Sequence, residues 1–315
     1  MSIKVSIIII NYNTVDLLKK CLSSIKQYCT RDDTEIIVVD NNSHDNSVAM
    51  VQSEFPDVVL IASKTNLGFV KGNNLAAKQA KGQYVLLLNS DTELTEDGID
   101  GIIDFMDKTP DAGVIGGKIL FPNKTLQLSC RRFSLYLSEF INQTTGLVKG
   151  INPFASYIKM KHLDYGKSHI IDWVSGAYML IRKDLINEIG LFDDEIFMFC
   201  EDMDLCKRVY NHGYSVYYFP GSTIIHYHGA TAKKNPSRSI FYSFWSSSIY
   251  FRKHRGTRSA AFYKRTVFIT WHLLKAFLIL LGYISKSSKI KEKKLLFTDL
   301  ISFYKHATHA AGDNK

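Results

Sequence analysis

The sequence predicts a doubly wound, mostly parallel α/β sheet followed by a basic helical region, and three observations carry that expectation. Apolar, β-branched runs alternate with segments of helical periodicity through residues 5–88. Three of those runs end in Asn/Asp clusters: Asn11-Tyr12-Asn13, Asp40-Asn41-Asn42 and Asn89-Ser90-Asp91. Charge is segregated, with 22 Lys+Arg against 27 Asp+Glu in residues 1–232 and 17 against 3 in residues 233–315. The formal charge of +9 therefore belongs to the tail, which argues against a nucleic-acid partner for the body. The expected division is a catalytic domain over 1–232 and a basic, aromatic-rich helical region over 233–315.

In order along the chain, Val5–Ile10 reads as a strand buried on both faces. Leu17, Leu18, Cys21, Leu22 and Ile25 recur at helical spacing. Strands at Glu35–Val39, Val58–Ile61 and Tyr84–Leu88 follow, with helices near Ser47–Phe55 and Gly72–Ala80 between them. Sheets of this kind bind ligands beyond the carboxyl ends of their strands. One Asn/Asp cluster there is ordinary turn chemistry. Three on one edge point to a polar, phosphorylated ligand. There is no Gly-x-Gly-x-x-Gly and no phosphate-loop lysine after the first strand, which disfavours a dinucleotide oxidoreductase and a phosphate-loop ATPase.

With 46% hydrophobic residues in 315, the chain can bury a sizeable core, which excludes disordered and collagen-like classes. Its five cysteines, Cys21, Cys29, Cys130, Cys200 and Cys206, form no CxxC pair and read as reduced thiols of a cytosolic protein. The short N-terminal apolar run reads as a strand, not a signal peptide.

Seven ordered motifs, VSIIIINYN, VVDNNSHDNS, NLGFVKGNN, LLLNSDTEL, DWVSGAYMLIRKD, FMFCEDMDLCKR and PGSTIIHYHG, span about residues 3–232. Together they resemble the family 2 glycosyltransferases of the GT-A fold, especially the bacterial rhamnosyltransferase-like branch. The resemblance implies a nucleotide pocket in which Tyr12 stacks on a pyrimidine and Asp40 accepts the ring imide N–H. It also implies a loop closing over the donor, drawn from Asn66, Gly68 and Gly72-Asn73-Asn74. Asn89 stands where the family's Asp-x-Asp metal motif begins, which leaves Asp91 as the metal carboxylate for Mg2+ or Mn2+. His226 fits the family's His-x-x-Gly spacing as a second ligand, with His228 as the fallback.

In the family the second acid of a Glu-Asp pair is the general base of a single, inverting displacement, a role that falls here to Asp202. Glu201 beside it orients the acceptor or holds the loop. Trp173, Ser175 and Gly176 match the stretch beneath sugar and acceptor. An acidic first helical turn without function is the competing reading for Glu201 and Asp202. The donor is expected to be dTDP-rhamnose, with UDP-linked glucose, galactose or N-acetylated sugars as alternatives. A sugar nucleotidyltransferase would need a glycine-rich loop that Asn11-Tyr12-Asn13 replaces. A non-catalytic nucleotide-sugar or glycan-binding module is the alternative of another class.

Residues 266–285 form an apolar stretch interrupted by His272 and Lys275 and flanked by Lys264, Arg265, Lys286, Lys289, Lys291, Lys293 and Lys294. An ion at the centre of a spanning helix costs roughly 2.5–3.5 kcal/mol. We therefore expect an interfacial helix on an anionic membrane surface. This fits a cytoplasmic, peripheral enzyme on the inner face of the plasma membrane, acting on a polyprenyl-linked or polysaccharide acceptor. A soluble hairpin packed on the catalytic domain is the competing reading.

Overall fold

A computed structural model describes residues 2–96, 98–144, 155–227, 236–284 and 287–312. The chain divides into two compact units, one of residues 1–133 and 156–230 and one of 134–155 and 231–315.

The first unit is a mixed sheet of nine strands. β1 (Val5–Asn11), β2 (Thr34–Asp40), β3 (Val59–Ala62) and β4 (Tyr84–Asn89) run parallel in the order β3-β2-β1-β4. Helices α1 (Val15–Tyr28), α2 (Ser47–Glu54) and α3 (Gly68–Gln79) connect them. Chain order reverses at β1 and β4, the switch point where open α/β sheets take ligands. β1 carries Val5, Ile7, Ile8 and Ile9 at 0% exposure, as a strand covered on both faces must.

Beyond β4 the sheet becomes mixed. β5 (Thr92–Leu94) turns back at once, α4 (Asp100–Lys108) leads to β6 (Ala112–Leu120), and short β7 (Cys130–Arg131) pairs with β9 (Trp173–Val174) as a separate ribbon. After α5 (Tyr136–Gln143) and α6 (Ala155–Ile158), β8 (His169–Ile171) edges the sheet and β10 (Tyr178–Arg182) inserts antiparallel between β4 and β6. α7 (Lys183–Ile189) and α8 (Glu201–Asn211) lead to β11 (Ser215–His226), parallel to β6 and antiparallel to β5. A register shift between Phe219 and Thr223 bends β11, so that His226 ends opposite Thr92.

One expectation needs correction. The stretch Gly72-Asn73-Asn74 is not loop, because α3 already begins at Gly68. Asn66 Oδ1 accepts the Gly68 N–H at 2.9 Å, and Asn41 Nδ2 donates to the Gly68 carbonyl at 3.0 Å, which starts the helix a turn early. Gly72 is there so that α3 can lie on β1: an added Cβ would sit 3.3 Å from the Ile10 side chain.

The second unit gathers α5 with α9 (Pro236–Arg255), α10 (Thr257–Ile284) and α11 (Ser288–Gly312). The sequence division had placed α5 in the catalytic body. Instead its Tyr136 ring packs on Phe251, Phe262 and Tyr263, and Gln143 accepts the Trp271 indole N–H on its carbonyl at 2.7 Å. Trp271, Phe244, Phe251 and Tyr263 are fully buried among these helices.

Gly116 and Gly117 of β6 leave room for Val174 and Tyr178, the residues on either side of the Ser175-Gly176-Ala177 turn. A methyl group at Gly117 would overlap the Tyr178 ring. Gly117→Ala is expected to lower stability by about 1–3 kcal/mol in urea unfolding, as overpacking does. An unchanged midpoint would contradict this packing.

Candidate active site

At the carboxyl edge, parallel register puts Asn11 beside Asp40. The buried Asp40 carboxylate accepts from Asn11 Nδ2 at 2.8 Å and from the Ser43 N–H at 2.8 Å. Asn13 and Asn42 turn the chain away with φ of 54° and 63°, conformations Asn tolerates better than most side chains. Tyr12, partly exposed, comes directly after the end of β1. The expected imide acceptor is thus locked in place before any ligand binds, opposite the residue that precedes the expected base-stacking ring.

β4, β5 and β11 assemble the second cluster. Tyr227 N–H donates to the Asp91 carbonyl at 2.9 Å, extending the β5·β11 ladder. His226 Nε2 then lies 3.1 Å from Asp91 Oδ1 and 3.4 Å from Asn89 Nδ2. His226 and Asp91 are almost covered, at 7% and 14% side-chain exposure. On its other side, His226 Nδ1 meets Gln127 Nε2 at 3.2 Å. Asn89, Asp91 and His226, up to 137 positions apart, thus converge. His228 lies outside the described residues.

An imidazole nitrogen and a carboxylate oxygen side by side form a donor pair suited to Mg2+ or Mn2+. A metal-bound Nε2 leaves the proton on Nδ1, which then needs an acceptor. Gln127 Oε1 is buried without a partner among the described residues, and rotating that amide would present it to Nδ1. The residues therefore fit a divalent cation, although no group of three or more His, Cys, Asp or Glu among the described residues is arranged to hold a metal ion.

The third cluster is acidic. Phe199 and Cys200 have φ of 67° and 64°, a left-handed pair that costs roughly 1–2 kcal/mol per residue and delivers Glu201 and Asp202 at the start of α8. Asp202 accepts the Gly176 N–H at 3.3 Å on Oδ2 and the Met203 N–H at 2.8 Å on Oδ1. Burial nevertheless holds its carboxyl above the ordinary range; those N–H groups and the Arg131 charge pull the other way without prevailing. Glu201 is raised further, first by burial and then by the Asp202 charge, and its Oε2 has no partner among the described residues. An acidic first turn arranged only for the helix dipole would leave both acids solvated. Asp204 and Arg208 do the structural work instead, through a bond of 2.9 Å and three Arg208 contacts to the 189–191 carbonyls.

The second and third clusters meet through the turn before β10. Asn89 N–H donates to the Ala177 carbonyl at 3.2 Å, one residue from the Gly176 that holds Asp202. Ser175 Oγ accepts the Ala177 N–H within that turn.

Asn74, Trp173 and Asn66 have protein partners of their own. Asn74 gives its amide to the Phe192 carbonyl and Asp194, and takes the Phe192 N–H. Trp173 spends its indole N–H on the Arg132 carbonyl at 2.9 Å, and the Arg131 guanidinium lies 6.0 Å over its ring. Asn66 Oδ1 accepts the Gly68 N–H ahead of α3, as described above. Gln127, Arg131 and Ser43 had not been singled out from the sequence, and Asn11 only as a member of its cluster. Only the Asn/Asp richness after β1 and β2 signalled any of them.

Residues 6–190 match the family described as Glycosyl transferase family 2. The chain belongs to that family. It is 22% identical over 245 residues to the N-acetylglucosaminyl-diphospho-decaprenol L-rhamnosyltransferase of Mycobacterium tuberculosis, covering 74% of this chain and 79% of that one. It is 28% identical to rhamnosyltransferase WbbL of Escherichia coli over 71% of this chain and 83% of that one. Among solved structures, the mannosyltransferase PcManGT of Pyrobaculum calidifontis, in complex with GDP-Man and Mn2+, superposes with a TM-score of 0.55 at 15% identity, covering 95% and 85% of the two chains. S. aureus TarS gives 0.51 at 16%, covering 96% and 92%. The fold of this glycosyltransferase is GT-A, as its motifs led us to expect.

The raised Glu201 carboxyl has a consequence for stability. A carboxyl raised in the folded state binds its proton more tightly there than when unfolded, so stability falls as pH rises above its ordinary value of 4.5. Glu201→Gln removes that proton-linked dependence. The loss of melting temperature between about pH 5 and about pH 8 is expected to be smaller in the variant. An equal loss would place Glu201 in solvent.

Proposed function

We propose that this glycosyltransferase moves a sugar, with inversion, from a pyrimidine nucleotide sugar to a polyprenyl-linked or polysaccharide acceptor in cell-surface glycan assembly. dTDP-rhamnose is the preferred donor, which the two rhamnosyltransferase relatives support. A UDP-N-acetylhexosamine is the second reading, favoured by 24% identity over 69% of this chain to a poly-β-1,6-N-acetyl-D-glucosamine synthase of Staphylococcus epidermidis. The observation that carries the proposal is the Gly176-Ala177 turn, which joins a cation-binding pair to a buried acid on one sheet edge.

Tyr12 stacks on the base, and Asp40 turns its remaining acceptor capacity toward the imide N–H that thymine and uracil share. A divalent cation held by Asp91 and His226 would offset the negative charge gathering on the departing diphosphate. Asp202 takes the acceptor hydroxyl proton as that oxygen attacks the anomeric carbon. The new C–O bond forms on the face opposite the breaking bond to phosphate, whose electron pair leaves with the diphosphate. Burial raises Asp202 toward the working pH, where a base both exists ionised and holds a proton well. Glu201, protonated beside it, keeps a second negative charge out of the site.

A polyprenyl acceptor requires the enzyme to work at a membrane. The helix Thr257–Tyr283 is long and apolar enough to engage one, with mean hydropathy 1.6 over its best window. We place the protein at the cytoplasmic face of the plasma membrane, on an anionic surface.

Asp202→Asn is expected to reduce turnover by roughly 10²–10⁴-fold while leaving nucleotide-diphosphate affinity within a few-fold. Radiolabelled sugar transfer and calorimetric nucleotide titration read the two separately. Matched loss of both would make Asp202 a structural residue.

A further inference from the structure

α10 has two unlike faces. One is covered inside the second unit, where Ala260, Tyr263, Val267 and Trp271 are buried against rings such as Phe244. The opposite face carries Phe262, Ile269, Leu273, Phe277, Leu280 and Tyr283, all between 48% and 85% exposed. These residues fall at spacings of 7, 4, 4, 3 and 3, which is one stripe on a helix of 3.6 residues per turn. So long an exposed apolar stripe on a folded unit marks a surface that something covers.

Charge says what covers it. Arg258 and Arg265 are exposed at the start of α10. At its end, α10 and α11 enclose a cleft of about 440 Å³ walled by Leu278, Ile279, Tyr283 and Ile290, with Lys291 and Lys294 at its rim. Apolar walls beside paired ammonium groups suit a phosphate headgroup and the first methylenes of its acyl chains. A soluble protein partner would have no need of cations at both ends of the stripe.

The packing also decides between lying on a bilayer and crossing it. α11 is folded back against α10, with Phe268 stacked on Tyr304. Were α10 to span, α11 would enter the hydrocarbon with Lys289, Lys291, Glu292, Lys293, Lys294 and Asp299, most of which are exposed. Laid flat, the same unit keeps every one of those charges in water or among headgroups.

We propose that α10 lies in the plane of an anionic phospholipid surface, with the Phe262–Tyr283 stripe in the acyl boundary and Lys291 and Lys294 on lipid phosphates. The proposal rests on the membrane placement given above and specifies the face, the orientation and the headgroup chemistry.

Single tryptophans at Ile269, Leu273, Phe277 and Leu280, read above the three native ones, test it in full-length protein on phosphatidylcholine–phosphatidylglycerol vesicles. Ile269 and Leu280 are about 16 Å apart along the axis. Lipids brominated near the headgroup end of the chain should quench all four equally, and more than lipids brominated near the chain terminus. Quenching that deepens from one end of the series to the other would mean a spanning helix and overturn the proposal. No quenching at any position, with the protein still sedimenting with vesicles, would place another face on the membrane and also overturn it. Failure of the wild type to sediment would instead remove the membrane placement itself. Lys291→Gln with Lys294→Gln should abolish the preference for vesicles containing phosphatidylglycerol without changing the melting temperature. A preserved preference would reject the lipid cleft.

Discussion

β10 runs against both of its neighbours, and the geometry of the site descends from that one inversion. Because β10 enters from the opposite end, the turn before it lies where β4 finishes. Gly176 can then hold Asp202 while Ala177 holds Asn89. A parallel strand in the same place would put its connecting turn at the far edge, and the acid would lose the Gly176 donor and keep only the Met203 N–H of its own helix. The Gly116-Gly117 pair in β6 exists for the same reason: it makes the space in which Val174 and Tyr178 flank that turn.

Burial then sets the chemistry. Two adjacent carboxyls sheltered from water cannot both ionise freely, so they separate into a proton holder, Glu201, and a weaker acid able to act as a base, Asp202. Peptide N–H groups from Gly176 and Met203 temper the shift of Asp202 and leave Glu201 without comparable help. The strained Phe199-Cys200 turn contributes by aiming both acids inward. Strain of this kind persists only where the surrounding packing over-determines it, and here α8 is anchored by the Asp204–Arg208 pair and its carbonyl contacts.

Much of this was legible because parallel sheets leave plain signatures. Buried strands read as β-branched runs, and their ends read as Asn/Asp clusters, so β1, β2 and β4 and the residues Tyr12, Asp40, Asn89 and Asp91 could be placed. The Asp91–His226 pairing needed the family's motif order, since nothing local in a strand-end histidine announces its partner. What could not be read depended on tertiary contact. The family's motif assigns Asn74 to a loop over the donor, while its own periodicity puts it in a helix, and α3 starts earlier still, at Gly68, under the hold of Asn41 and Asn66. Gln127 sits in a segment without periodicity, and only the bend of β11 brings His226 to it. α5 has too few residues for its pattern to say which unit would take it; the Trp271–Gln143 bond decides.

The proposed chemistry rests on the edge formed by Tyr12, Asp40, Asn89, Asp91 and His226 as the place where a pyrimidine nucleoside diphosphate would bind together with a divalent cation. Thermal melts with dTDP, UDP, GDP and CDP, each with and without Mn2+ or Mg2+, test it most directly. A ligand at about 100 times its Kd stabilises the native state by roughly 2.7 kcal/mol, well within reach of such a melt. The account predicts cation-dependent stabilisation by dTDP or UDP and little by GDP. A folded protein that none of the four nucleotides stabilises, with either ion, would contradict it.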